Sequence, residues 1–139
     1  MKAISLISIL VFGTSCVQAE VKPITRPSVE ITKVTGGSVE FLVSNNSSTP
    51  FFYLGWCDKS PLATSEVKRG DSWKLSYFVM CGTGSDFFLL EPGQSFRSTI
   101  PNYNQGAMRV VLGFSEEANF EFEGSFVVRS ELFLEEKGA

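Results

Sequence analysis

The chain has 139 residues, with 12 basic and 15 acidic side chains, a net charge of −3 and no histidine. The charges are scattered without a basic stripe, which argues against nucleic acid and anionic membrane surfaces as partners, since both select clustered Lys and Arg. Lacking an imidazole, the chain cannot build a Ser-His-Asp or Cys-His hydrolase or a His-ligated zinc site, and only carboxylate, Lys or Tyr chemistry remains.

Lys2 precedes an apolar stretch over residues 3–12. Gly13, Thr14 and Ser15 break it, and Val17-Gln18-Ala19 offers small residues just before Glu20. This is the layout of a secretory signal peptide. The stretch is too short for a membrane span, which needs roughly 20 apolar residues. Cleavage after Ala19 predicts a periplasmic or secreted product starting at Glu20, with 11 basic and 15 acidic residues, a net charge of −4. A second route is open: Thr14-Ser15-Cys16 resembles the lipobox of bacterial lipoproteins, although Gly13 stands where Leu, Val or Ile is usual. Lipidation at Cys16 would make the product an anchored envelope protein. Residues 20–139 fit one domain, of a size that buries roughly two-thirds of its unfolded surface.

Residues 20–27, with Pro23 and Pro27, read as an extended lead-in. Residues 28–34 alternate apolar and polar side chains as a half-buried strand does. Gly36-Gly37 turns the chain into a second strand over 39–43. The cluster from Asn45 to Pro50 is a turn. Residues 51–56 form a third strand and 58–70 a polar loop. A fourth strand covers 73–80, and the glycines at 82 and 84 make a loop. A short strand follows at 87–90, then a turn at Pro92-Gly93. Further strands are expected at 95–100, 107–114 and 120–134, the last bent at Gly124. Residues 135–139 form a solvated tail. No segment after residue 19 has helical periodicity.

Short strands with regular turn signals predict an all-β antiparallel sandwich of about seven to eight strands over residues 28–134. The stretches Val43-Ser44-Asn45-Asn46, before a Pro-led strand, and Leu90-Glu91-Pro92-Gly93-Gln94-Ser95 carry a resemblance to exported immunoglobulin-like domains of bacterial envelopes. That resemblance implies the sandwich fold. It implies no functional residue, because Cys57 and Cys81 are too close in sequence for the inter-sheet bridge of antibody domains.

In an oxidising compartment Cys57 and Cys81 are expected to pair. Their loop of 25 residues gives a disulfide worth about 3.5 kcal/mol in the chain-entropy model. A separation this wide favours a structural staple over a redox-active pair.

The strongest anomaly is apolar excess on both faces of three segments: Phe51 to Trp56, Tyr77 to Met80 and Phe87 to Leu90. A two-sheet sandwich covers only one face of each sheet. Two explanations are open. Either the loop over 58–70 folds back as a cover, or Phe52, Leu54, Trp56, Trp73 and Phe78 contribute to a surface for a protein partner or a second copy. Other motifs have simpler accounts. Arg69-Gly70-Asp71 matches an adhesion tripeptide but suits a turn before a strand. Asn45 and Asn46 each begin a glycosylation sequon, which in a bacterial protein is only a turn cluster. Cys81-Gly82-Thr83-Gly84-Ser85 lacks the Lys and helix of a phosphate loop. Asp58, Glu66, Asp71, Asp86 and Glu91 fit no metal or catalytic spacing and read as solvated charge.

The sequence therefore favours a small exported binding module acting through protein–protein contacts, with no catalysis, cofactor or metal. An inhibitor or immunity protein, a structural subunit completed by edge-strand addition and a carboxylate-based enzyme are the alternatives.

Overall fold

In the computed structural model, residues 25–77, 84–103, 106–119, 125–131 and 133–134 are described. The segments expected to form the signal peptide, the C-terminal tail and the bend at Gly124 lie outside them, as do Cys16, Phe78 and Cys81. No helix occurs among the described residues, and none is long and apolar enough to cross a membrane.

Among the described residues ten strands follow one another: β1 (Ser28–Val34), β2 (Ser38–Ser44), β3 (Phe51–Trp56), β4 (Thr64–Arg69), β5 (Ser72–Tyr77), β6 (Ser85–Leu90), β7 (Ser95–Pro101), β8 (Ala107–Ser115), β9 (Ser125–Arg129) and β10 (Phe133–Leu134). They make two sheets, and every pairing is antiparallel. The smaller sheet is ordered β1-β2-β7. The larger is ordered β5-β4-β8-β3-β6, with β9 and β10 along β8.

The alternation read from the sequence fixes the inner faces. Val39, Phe41 and Val43 of β2 are fully buried, with polar or half-buried neighbours between them. Phe51 and Tyr53 on β3 and Met108, Val110, Leu112 and Phe114 on β8 face them from the other sheet. Each such side chain contributes about 1.5–3 kcal/mol when fully removed from water. Aromatic contacts add to this: the Tyr53 and Phe96 rings lie 4.9 Å apart, and Phe51 meets Phe126 edge-on at 5.3 Å.

The structure corrects the expected strand count and the expected cover. Residues 58–70 are not a loop laid over the aromatic strands. After β3 the chain reverses in a tight turn, in which Lys59 donates its N–H to Trp56 O (2.8 Å) and Trp56 donates to Ser60 O (2.8 Å). It then returns as β4, which pairs with both β5 and β8. Gly55 permits the return, since a Cβ there would lie 2.7 Å from Ser60 O. The long final strand is split: β9 and β10 both pair with β8, and between them Ser130 donates to Val110 O (2.9 Å) and accepts at Oγ from Val110 N–H (2.9 Å).

At one end of the sandwich, Asn45 is fully buried and ties both sheets together. Its Nδ2 donates to Thr49 O (2.8 Å) and Leu90 O (3.0 Å), and its Oδ1 accepts from Ser47 N–H (3.1 Å). A glycan cannot be accommodated on that amide. Of the two sequons only the one at Asn46 is exposed.

Candidate functional site

Because β3 places Phe51, Tyr53 and Gly55 inward, Phe52, Leu54 and Trp56 point to the outer face of the larger sheet, where all three are half-buried. The β3–β6 register sets Phe52 opposite Leu89 and Leu54 opposite Phe87, so these pairs share that face. Leu89 is 43% exposed. Across β8, Val127 of β9 is 45% exposed and pairs with Gly113.

Gly113 makes the shape. It is exposed, and a methyl group there would meet no atom of the described residues within 4 Å. The missing side chain leaves a groove of about 340 Å³ with Phe52, Leu54, Phe87 and Val127 along its walls and Asn119 and Ser125 at its rim. Among the described residues no charged side chain lines it. An uncharged apolar recess on an outer sheet face is the kind of surface that receives an apolar group from a partner.

The other half of the same face is charged. Glu66 accepts from Arg109 (2.6 Å) and from Arg129 Nε (3.4 Å). Arg109 in turn lies over the Trp73 ring, 4.0 Å from its centroid, a cation–π contact. Trp73 is thus half-buried beneath a guanidinium, while its neighbour Leu75 on β5 is 60% exposed.

Four of the five sequence-nominated surface residues are therefore described, and all four are half-buried. Phe52 and Leu54 line the groove; Trp56 lies beyond it on the same strand, and Trp73 belongs to the charged half. Sequence reasoning missed Gly113 and Val127. The first was hidden in an apolar strand, where a lone glycine signals a close approach or a gap. The second sat in the run Ser125-Phe126-Val127-Val128, whose inner and outer members look alike.

The remaining nominated groups take up structural posts. Asp58 accepts from Ser60 N–H (2.9 Å) and Oγ (2.6 Å), and these bonds hold its carboxyl below the usual range. Asp86 accepts from Phe87 N–H (2.7 Å). Arg69-Gly70-Asp71-Ser72 is the β4–β5 turn, with Gly70 at φ 60° and Ser72 Oγ donating to Arg69 O (3.2 Å). Among the described residues no three His, Cys, Asp or Glu side chains gather as a metal site. Cys57 is exposed at the end of β3 and has no disulfide partner among the described residues; Cys81 lies outside them. Comparison with protein-family models, curated proteins and solved structures found no match.

Proposed function

We propose that this chain is an exported, non-catalytic binding module with an immunoglobulin-like arrangement of its two sheets, acting through protein–protein contact at the Gly113 groove. The observation that carries the proposal is the recess among Phe52, Leu54, Phe87 and Val127 on the outer face of the larger sheet, apolar and free of charge among the described residues. Within the same proposal, Cys57 pairs with Cys81 after export. The β3–β6 ladder ends at the pair Trp56–Ser85, so Cys57 stands one residue and Cys81 four residues along the chain from that pair.

Gly113→Arg tests the groove. A Cβ at this position meets no described atom within 4 Å, so the substitution starts without a backbone clash, and it places a charge in the recess. Affinity capture from envelope extract, with sedimentation of the purified chain alone, compares the variant with wild type. A partner or self-association lost on substitution, at unchanged urea midpoint, supports the proposal. Binding that persists at full strength in the variant overturns it.

A further inference from the structure

A second site lies on the far side of β9, where the two sheets come together without joining. Cα atoms of β1 and β9 approach within 8 Å, yet the strands share no ladder. A cleft of about 740 Å³ separates them, lined by Val29, Glu30 and Ile31 of β1 and by Val128, Arg129 and Glu131.

Backbone hydrogen bonds fix where the backbone groups of its walls point, because successive residues of an antiparallel strand bond to alternate sides. Asn45 N–H donates to Gln94 O and Asn102 N–H to Gly37 O, so the odd-numbered residues of β2 bond toward β7. The even-numbered ones therefore bond toward β1, and the pairs Ser28↔Ser44 and Glu30↔Leu42 turn Ser28 and Glu30 to β2. Val29 and Ile31 direct their N–H and C=O away from β2, along the free edge of β1 that lines the cleft. On the other wall, Ser130 N–H bonds to Val110 O, so Val127 and Arg129 turn their backbone groups away from β8. Among the described residues none of these four backbones has a partner on that side. The β1 edge runs regularly from buried Pro27 to the bulge between Ile31 and Lys33, a length that seats a short strand of about five residues, roughly 17 Å.

We propose that this seam accepts an extended segment of another polypeptide, added antiparallel to β1, with apolar residues alternating with Lys or Arg. Its apolar side chains would cover Val29, Ile31 and Val128, the first buried and the other two half-buried. The basic side chains meet Glu30 and Glu131, both exposed and neither ion-paired among the described residues. Arg129 offers little opposition, since its Nε is turned to Glu66. Arg26, over the Phe126 ring at 4.8 Å, lies just before Pro27. Main-chain bonds supply affinity in such strand addition and alternate side chains supply selectivity. This inference is independent of the Gly113 groove.

The probe is a fluorescein-labelled peptide of about ten residues alternating Val and Lys, titrated with the purified full chain and followed by anisotropy. The control carries N-methyl groups at alternate residues, which removes ladder donors without changing charge or order. The seam predicts saturable binding of the parent, weakened at least about tenfold by N-methylation. It predicts the same loss in Glu30→Lys/Glu131→Lys, with preference passing to the Val–Glu peptide, and no loss in Gly113→Arg. Absence of binding up to about 1 mM overturns the inference. Equal binding of the N-methylated peptide, or affinity unchanged in the double variant, also overturns it.

Discussion

Replacing Asn45 by Ala should loosen the end of the sandwich where both sheets meet. Asn45 side-chain atoms make two donated bonds, to Thr49 O and Leu90 O, and accept two from Ser47, its N–H and its Oγ (2.7 Å). Ser47 Oγ also reaches Thr49 O at 2.9 Å. Having one proton, it would turn to that carbonyl in the variant and compensate for one loss. Three bonds are then lost without replacement, each worth about 0.5–1.5 kcal/mol net. The expected destabilisation is about 1.5–4.5 kcal/mol, with the backbone bond from Gly93 N–H to Asn45 O (2.7 Å) retained. Urea unfolding followed by the fluorescence of the two tryptophans measures it. Asn45→Asp should fare no better near neutral pH, since it sets an acceptor against both carbonyls. A loss below about 1 kcal/mol for Asn45→Ala would refute the reasoning that this amide joins the two sheets.

Lys59 stands at φ 66° in the turn after β3, where glycine is at ease, so Lys59→Gly should stabilise by several tenths to about 1 kcal/mol in the same urea assay. Ser65 Oγ is buried without a hydrogen-bond partner among the described residues, so Ser65→Ala should be neutral or stabilising by up to about 1 kcal/mol, read as a raised urea midpoint. Burial raises the Tyr53 phenol above its ordinary range, and its O–H donates to Lys59 O (2.9 Å). A raised folded-state value for an acid that ionises to an anion means stability is intact below about pH 10 and falls as pH rises through the folded-state value. Urea midpoints across that range should fall more steeply for wild type than for Tyr53→Phe.

Much of the fold was legible because inner positions are strongly apolar. Val39-Glu40-Phe41-Leu42-Val43 declares both its strand and its buried face. β4 was not legible, because Thr64-Ser65-Glu66-Val67-Lys68-Arg69 has one large apolar side chain, yet it is held in the sheet by ladders on both sides. Tertiary pairing overrode a polar sequence there. The surplus of apolar residues on β3 and β6 showed in the sequence, but its meaning depended on β4 being a strand and not a cover. Gly113 became informative only once its neighbours Leu54 and Val127 were known to stand around it.

The central claim is that the outer-face groove is occupied by a partner when the protein is at work. Hydroxyl-radical footprinting of the chain in envelope extract, against the purified chain at high dilution, tests it most directly. Phe52, Leu54 and Val127 should be protected in the extract, while exposed Leu75 on the same sheet keeps its reactivity. Equal modification of all four residues in both samples would contradict the account.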